Sequence, residues 1–113
     1  MKRVIIESPY RASERHTVEE HVSYLNSILR AVAMSCVSPY ASHRILTEAL
    51  DDSDEREREL GIMCGLAWHS VADEMWVFTD LGVSEGMKHA ICHANSVGLP
   101  VYYETIENFD QYL

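Results

Sequence analysis

The stretch Glu74-Met75-Trp76-Val77-Phe78-Thr79 decides the fold class of this chain. Its centre is apolar at consecutive positions, which is typical of a strand covered on both faces, as strands in the parallel sheets of α/β proteins are. We therefore expect a buried parallel strand here, with helices packed above and below it.

Upstream of this stretch, predicted strands alternate with predicted helices. Residues 3–8 are a β-rich run that Pro9 ends, because proline forces the residue before it into an extended conformation. Residues 17–20 fit a capping box, and apolar residues follow them at helical spacing. Residues 38–43 are expected to form a second strand. The acidic residues 51–54 are expected to start a second helix, which carries on one side Leu60, Cys64, Ala67 and Val71.

Downstream, Ser84 is a suitable cap for a helix from residue 85 to about residue 97, which Gly98 ends. Residues 99–103 predict a last strand before a short C-terminal helix. The order β-α-β-α-β-α-β-α predicts a flavodoxin- or Rossmann-like three-layer sandwich, in which a parallel sheet of four to five strands has helices on both faces. No linker or repeat divides the chain, so we expect residues 1–113 to form a single domain.

The charge and the N-terminus narrow the choice of partners. The formal net charge is −9 without a cluster of Lys or Arg, so a nucleic-acid duplex is not an expected partner, whereas a single small anion is. Only three apolar residues precede Glu7, too few for a signal peptide or a membrane span. We therefore expect a cytoplasmic protein with no membrane partner.

The cysteines and histidines predict neither a disulfide framework nor a metal site. Cys36, Cys64 and Cys92 are widely spaced and include no Cys-x-x-Cys pair, so we expect buried free thiols. His89 and His93 share a helix face at metal-ligand spacing, but no third ligand is evident. We predict no metal and no cofactor.

Ligands in this class of fold bind beyond the carboxyl ends of the strands, so the residues that follow each strand are the site candidates. Tyr10 and Arg11 offer an aromatic plane and a planar cation, although a solvated turn would use them equally well. Ser84 and Gly86 open a helix whose free amides can face an anion, as can those of any capped helix. The predicted ligand-binding residues are Ser8, Tyr10, Arg11, Ser42, His43, Asp80, Ser84, Gly86 and Met87.

A histidine and two acids are candidates for proton transfer. His43 suits a general acid, a donor to a ribose hydroxyl, or a structural histidine. Asp80 and Glu85, which a turn separates, would suit a carboxylate pair with divided acid and base roles.

Four segments resemble the nucleoside 2-deoxyribosyltransferase superfamily. They are Ile5-Ile6-Glu7-Ser8-Pro9-Tyr10-Arg11, Ala72-Asp73-Glu74-Met75-Trp76-Val77-Phe78, and Ser84-Glu85-Gly86-Met87 followed by Gly98-Leu99-Pro100-Val101. The chain looks most like short bacterial and bacteriophage proteins of that fold, which share the SPYR, ASH and TDLG-x-S-x-GM segments. The resemblance implies a flavodoxin-like sheet, a small-molecule nucleoside or nucleotide as ligand, a homo-oligomer whose neighbouring subunit helps to close the site, and the host cytoplasm if the protein is phage-encoded.

In active members of this superfamily, a glutamate early in the helix after the third strand attacks the anomeric carbon of the sugar. Counted from the Gly-Met pair, that position is Lys88 here, and the position of the usual aspartate falls near Gly65. Lysine cannot replace a carboxylate nucleophile. Either Glu85 acts instead, with Asp80 or His43 as proton donor, or the pocket binds without cleaving.

We expect a nucleoside- or nucleotide-binding protein with a degenerate transferase pocket, suited to sequestering a signalling nucleotide. One alternative is an N-glycosidase or nucleoside deoxyribosyltransferase with Glu85 as nucleophile. The other is a structural assembly module without a ligand. The sequence leaves open whether the protein is an enzyme.

Overall fold

A four-stranded parallel sheet forms the frame of the protein in the computed structural model, which describes residues 1–113. Its strands are β1 (Arg3–Glu7), β2 (Ser38–Tyr40), β3 (Glu74–Phe78) and β4 (Val101–Glu104), in the spatial order β2-β1-β3-β4. The predicted α/β class and parallel sheet are confirmed. The succession of strands reverses between β1 and β3, and in doubly wound sheets a ligand crevice opens at that point, beyond the carboxyl ends of the strands.

Four α-helices surround the sheet: α1 (Val18–Met34), α2 (Ser42–Ala49), α3 (Glu55–Ala67) and α4 (Glu85–Ser96). There are also two 3₁₀ segments. The first, Trp68–Ser70, precedes β3, and the second, Ile106–Tyr112, follows β4. The predicted capping box of α1 is present, because the Thr17 hydroxyl accepts from the Glu20 amide at 3.1 Å and the Glu20 carboxylate accepts from the Thr17 amide at 3.3 Å. None of the helices is both long and apolar enough to cross a membrane.

Side chains alternate between the two faces of each strand, so the core divides into two layers. One layer packs α1 against the sheet through Val4, Ile6, Leu25, Ile28, Val32, Ala41 and Phe78. The other packs α4 against the opposite face through Ile5, Met75, Val77, Met87, Ala90, Ala94 and Leu99. The apolar centre of β3 supplies both layers, which explains why it carries no polar residue.

The middle of the chain departs from the prediction. The strand predicted at residues 38–43 ends at Tyr40, and Ser42 begins the unpredicted helix α2. This helix has only eight residues and its N-cap, Ala41, makes no side-chain cap hydrogen bond, so the usual sequence signal for a helix start is missing.

The predicted apolar side of the next helix was also wrong. Helix α3 ends at Ala67 and has no buried residue, and all three cysteines are exposed rather than buried. Helix α3 packs against α2 through its glycines instead of through those apolar side chains: a Cβ on Gly61 would lie 3.3 Å from Leu50 Cδ1, and one on Gly65 would lie 2.6 Å from Ser42 Oγ.

Candidate functional site

A cavity of about 830 Å³ opens beyond the carboxyl ends of β1 and β3. Its walls come from the loop after β1, from α1, α2 and α3, and from the loop that leads into α4. The volume lies in the range of about 300–1,000 Å³ that holds small molecules in proteins. The cavity therefore occupies the place where this fold concentrates ligand-binding residues.

The structure brings most of the residues singled out from the sequence to this cavity. Every predicted ligand-binding residue except Asp80 lines it, and so does Glu85. Gly86 exposes backbone there, since the nearest atom to a Cβ at this position would be Ser84 Oγ, at 3.9 Å. The residues that line the wall from the predicted set are Ser8, Tyr10, Arg11, Ser42, His43, Ser84, Glu85, Gly86 and Met87.

Asp80 is not part of the cavity wall. Its carboxylate accepts hydrogen bonds from the Tyr24 hydroxyl at 2.5 Å and from the Ile106 amide at 3.0 Å. Burial, and then the hydrogen bond to Asp80, raise the pKa of the Tyr24 hydroxyl. Asp80 thus ties α1 to the C-terminal segment, and the structure does not assemble the acid pair predicted for Asp80 and Glu85.

Glu85 lies at the mouth of the cavity rather than inside it. Its side chain is 92% exposed, and one of its carboxylate oxygens lies 3.2 Å from Lys88 Nζ. The structure therefore shows Glu85 as a solvated carboxylate in a surface ion pair, which contributes little to stability.

Ser8 and His43 form a hydrogen-bonded, partly buried polar pair at the end of β1. Ser8 Oγ lies 2.8 Å from His43 Nε2, and Ser8 is only 4% exposed. Helix α2 carries His43 in its first turn, which holds the ring over the strand end. Burial lowers the pKa of His43 to about 4, so the ring is neutral near pH 7 and its hydrogen bond to Ser8 involves no net charge.

Arg11 is held at the cavity mouth by an acid from another loop. Its Nε and Nη2 both donate to Asp52 Oδ2, at 3.0 and 2.8 Å, which connects the loop after β1 to the turn before α3. Arg58 of α3 also lines the cavity and forms no ion pair. Its guanidinium is therefore a free cation in the wall, and it was not among the residues predicted from the sequence.

Glu7 is a second residue of the cavity wall that was not predicted from the sequence. This residue ends β1, lines the cavity, and makes neither an ion pair nor a side-chain hydrogen bond. Burial raises the pKa of its carboxyl to about 8. The sequence does contain a signal for this residue, since Glu7 is an acid directly after the apolar residues of β1. It stands at the carboxyl end of the strand, which is the edge at which these sheets bind ligands.

His21 is a third residue that was missed. It is 1% exposed, lines the cavity, and lies with Nδ1 3.3 Å from the Tyr10 carbonyl oxygen. Because a carbonyl only accepts, Nδ1 donates this hydrogen bond, and the buried Nε2 has no hydrogen-bond partner. The signal was a histidine at a core position of α1, one turn before Leu25.

The two histidines predicted to share a face of α4, His89 and His93, lie in different surroundings. His89 lines the cavity, whereas His93 Nδ1 lies 2.8 Å from His69 Nδ1, so one ring donates to the other. Burial, and then the charge of His93, lower the pKa of His69. The structure contains no group of three or more His, Cys, Asp or Glu side chains that could hold a metal ion.

Comparison with known proteins places this fold among solved structures. Residues 2–104 match the family described as Domain of unknown function (DUF7768), and no curated protein matches the chain. A 2-deoxyribosyltransferase from Bacillus psychrosaccharolyticus has a TM-score of 0.65 at 16% identity, over 91% of this chain and 72% of that one. The CMP N-glycosidase BcmB of Clostridium botulinum has a TM-score of 0.52 at 13% identity, over 99% and 100%. At these identities the likeness concerns the fold.

Proposed function

We propose a nucleoside- or nucleotide-binding function for this chain, which belongs to the family described as Domain of unknown function (DUF7768). The observation that carries the proposal is the cavity of about 830 Å³ at the reversal of strand order between β1 and β3. Two solved structures of this fold are described as a 2-deoxyribosyltransferase and a CMP N-glycosidase, and the second description names a nucleotide.

The wall supplies groups suited to each part of a nucleotide. Tyr10 offers an aromatic plane for the base, and the Ser8–His43 pair offers hydrogen bonds to sugar hydroxyls. Gly86 and the other amides at the start of α4 favour an anion. Arg58 is the cation free to contact a phosphate, whereas Arg11 would first have to leave Asp52.

The environment of Glu85 supports binding over catalysis by this residue. A nucleophile of the retaining type must reach the anomeric carbon inside the closed site, but Glu85 is 92% exposed and paired with Lys88. In this respect the pocket is degenerate, and sequestering an intact nucleotide is a use that fits it. The alternative enzyme predicts that Glu85→Gln abolishes release of free base and leaves binding intact.

The exposed apolar residues of α3 and its neighbourhood support a homo-oligomer. Leu60 is 44% exposed, Met63 63% and Trp68 47%, and large aromatic and methionine side chains are enriched at protein interfaces. We propose a dimer as the simplest closed assembly. Light scattering on Met63→Glu should then report a lower mass than on the unchanged protein.

A ligand panel tests the binding proposal. The purified protein is incubated with nucleosides, nucleoside monophosphates and cyclic nucleotides; the filtrate and the denatured retentate are then analysed by liquid chromatography. We expect at least one compound to be depleted from the filtrate and to raise the melting temperature, because a ligand stabilises only the state that binds it.

The matched variants are Arg58→Ala, in the cavity wall, and Arg30→Ala, which lies outside it on α1. If the ligand carries a phosphate, Arg58→Ala should weaken binding roughly tenfold or more, in line with the loss of a charge-assisted hydrogen bond. Arg30→Ala should bind as the unchanged protein does. A panel in which no compound changes the melting temperature would leave the structural assembly module as the better description.

A further inference from the structure

We infer that Glu7 is a catalytic residue, which donates a proton to the departing base when the glycosidic bond of a nucleoside in this cavity is broken. The inference rests on the proposed function, because the substrate must first bind here. It replaces the sequestering of an intact nucleotide by hydrolysis of the bound ligand, and it places the reacting acid on β1 rather than on α4.

The position of Glu7 is set by the backbone of the central strand. It ends β1, and its neighbour across the β1–β3 ladder is Val77. Side chains alternate along a strand, so Glu7 shares a face with Ile5, on the side of the sheet that α4 covers. Its carboxyl therefore stands where the apolar layer beneath α4 meets the cavity.

Glu7 is also the carboxyl group of the cavity wall that has no partner. Asp52 accepts from Arg11, Glu57 accepts from the Asp51 amide at 3.2 Å, and Glu85 pairs with Lys88. No cation or amide stabilises the ionised form of Glu7, and burial disfavours it. The group is therefore protonated near neutral pH, as a general acid has to be. The other titratable groups of the wall are Tyr10, Arg11, His21, His43, Asp52, Glu57, Arg58, His69, Glu85 and His89.

The step balances with water as the only co-reactant. As the bond between the anomeric carbon and the base nitrogen breaks, the bonding electron pair leaves with the base, and the Glu7 proton transfers to the base. Water then adds to the anomeric carbon, and its proton returns to the Glu7 carboxylate. The products are free base and free sugar, and the acid is restored. No covalent sugar–enzyme bond is formed.

The experiment compares the unchanged protein with Glu7→Gln, which keeps the shape of the side chain but has no acidic proton. The control is Glu59→Gln, an exposed residue of α3 outside the cavity. Release of free base is followed by liquid chromatography between pH 5 and pH 9, on the nucleosides or nucleotides that raise the melting temperature. We expect Glu7→Gln to retain that thermal shift and to release base roughly 100- to 10,000-fold more slowly. The rate of the unchanged protein should fall as the pH rises through about 8.

A second substrate separates proton donation from a structural role. In 7-methylguanosine the base is already cationic and leaves without being protonated. If the unchanged protein cleaves it, Glu7→Gln should cleave it at nearly the same rate, whereas a variant damaged in its fold would be slow on every substrate. Equal impairment on both kinds of substrate would overturn the assignment.

The outcomes distinguish this inference from the proposed function. A ligand that binds and is recovered intact at every pH overturns catalysis by Glu7 and leaves the binding function standing. Base release by Glu7→Gln at the rate of the unchanged protein also overturns it, with binding unaffected. If no compound binds at all, the proposed function fails, and this inference fails with it.

Discussion

Glu7 and His43 are cavity residues whose ordinary charge at neutral pH is changed by burial. Burial raises the pKa of Glu7 from 4.5 to about 8 and lowers that of His43 from 6.5 to about 4. The folded protein thus holds one neutral acid and one neutral base at the end of β1. These two shifts make the stability of the fold depend on pH in opposite directions.

The sign of each contribution follows from which state binds more protons. The stabilising effect of a protonated Glu7 is complete below pH 4.5 and is lost as the pH rises to about 8, because only the unfolded chain ionises freely. That of a neutral His43 is complete above pH 6.5 and is lost as the pH falls to about 4. Between pH 4.5 and 6.5 the two slopes cancel.

We predict that the contribution of Glu7 and His43 to the free energy of unfolding changes little between pH 4.5 and 6.5, because their effects oppose each other there. It should fall between pH 6.5 and 8 by up to about 1.4 kcal/mol per pH unit. In Glu7→Gln the fall between pH 6.5 and 8 should disappear, because glutamine does not ionise. Above pH 8 the variant should therefore have a larger free energy of unfolding than the unchanged protein. Urea unfolding at half-unit pH intervals measures both curves. Parallel curves for the two proteins above pH 6.5 would contradict the burial of this acid.

At the scale of elements, the pairing of α2 with α3 forms the outer wall of the cavity and depends on close approach at two glycines. A Cβ on Gly65 would lie 2.6 Å from Ser42 Oγ and 3.2 Å from Ser42 Cβ, on the first residue of α2. A Cβ on Gly61 would lie 3.3 Å from Leu50 Cδ1, the end of a flexible side chain. The two positions are one turn apart on the same helix, so they form a matched pair.

We predict that Gly65→Ala lowers the free energy of unfolding by about 1–3 kcal/mol, because α2 must move away to relieve the overlap. Gly61→Ala should be neutral or stabilising by up to about 1 kcal/mol, since alanine favours the helix and Leu50 can move aside. Thermal unfolding of both variants measures the difference. Equal effects of the two substitutions would show that α3 does not approach Ser42 closely in solution.

At the scale of the whole molecule, Tyr24 of α1 and Asp80, which follows β3, connect the helical layer on one face of the sheet to the C-terminal segment. The Tyr24 hydroxyl donates to Asp80 Oδ2 and accepts from the Asp80 amide at 3.2 Å, and Asp80 also accepts from the Ile106 amide. These bonds connect α1, the loop after β3 and the segment Ile106–Tyr112. Phe109 of that segment also packs against Phe78, with ring centroids 5.7 Å apart.

We predict that Tyr24→Phe lowers the free energy of unfolding by about 1–2 kcal/mol, since Asp80 loses a hydrogen-bond donor. Amide hydrogen exchange should accelerate in the segment Ile106–Tyr112 and stay unchanged in β2. The control is Tyr103→Phe, whose ring is 61% exposed and whose hydroxyl makes no hydrogen bond within the chain. Unchanged exchange in the C-terminal segment of Tyr24→Phe would show that Asp80 does not hold it.

The local signals of the sequence determined the strands and the capped helices. The apolar run of β3, the capping box at Thr17 and the Ser84 cap each describe an interaction within a few residues, and the strand alternation predicted a parallel sheet whose ligands bind at its carboxyl edge. The position of Ser8, Tyr10 and Ser84 in the cavity wall follows from this topology alone.

Only the tertiary structure decided the charge states and partners in the site. In the structure Asp80 accepts a hydrogen bond from Tyr24 instead of lining the cavity, and the side chain of Glu85 lies in solvent. Glu7 and His21 line the cavity, and His21 Nε2 is buried without a partner. Burial and ion pairing depend on what lies opposite a side chain, and here the opposing residues come from helices distant in sequence. Helix α2 was not predicted for the same reason. It has no side-chain cap, and its contacts with α3 come from residues later in the sequence.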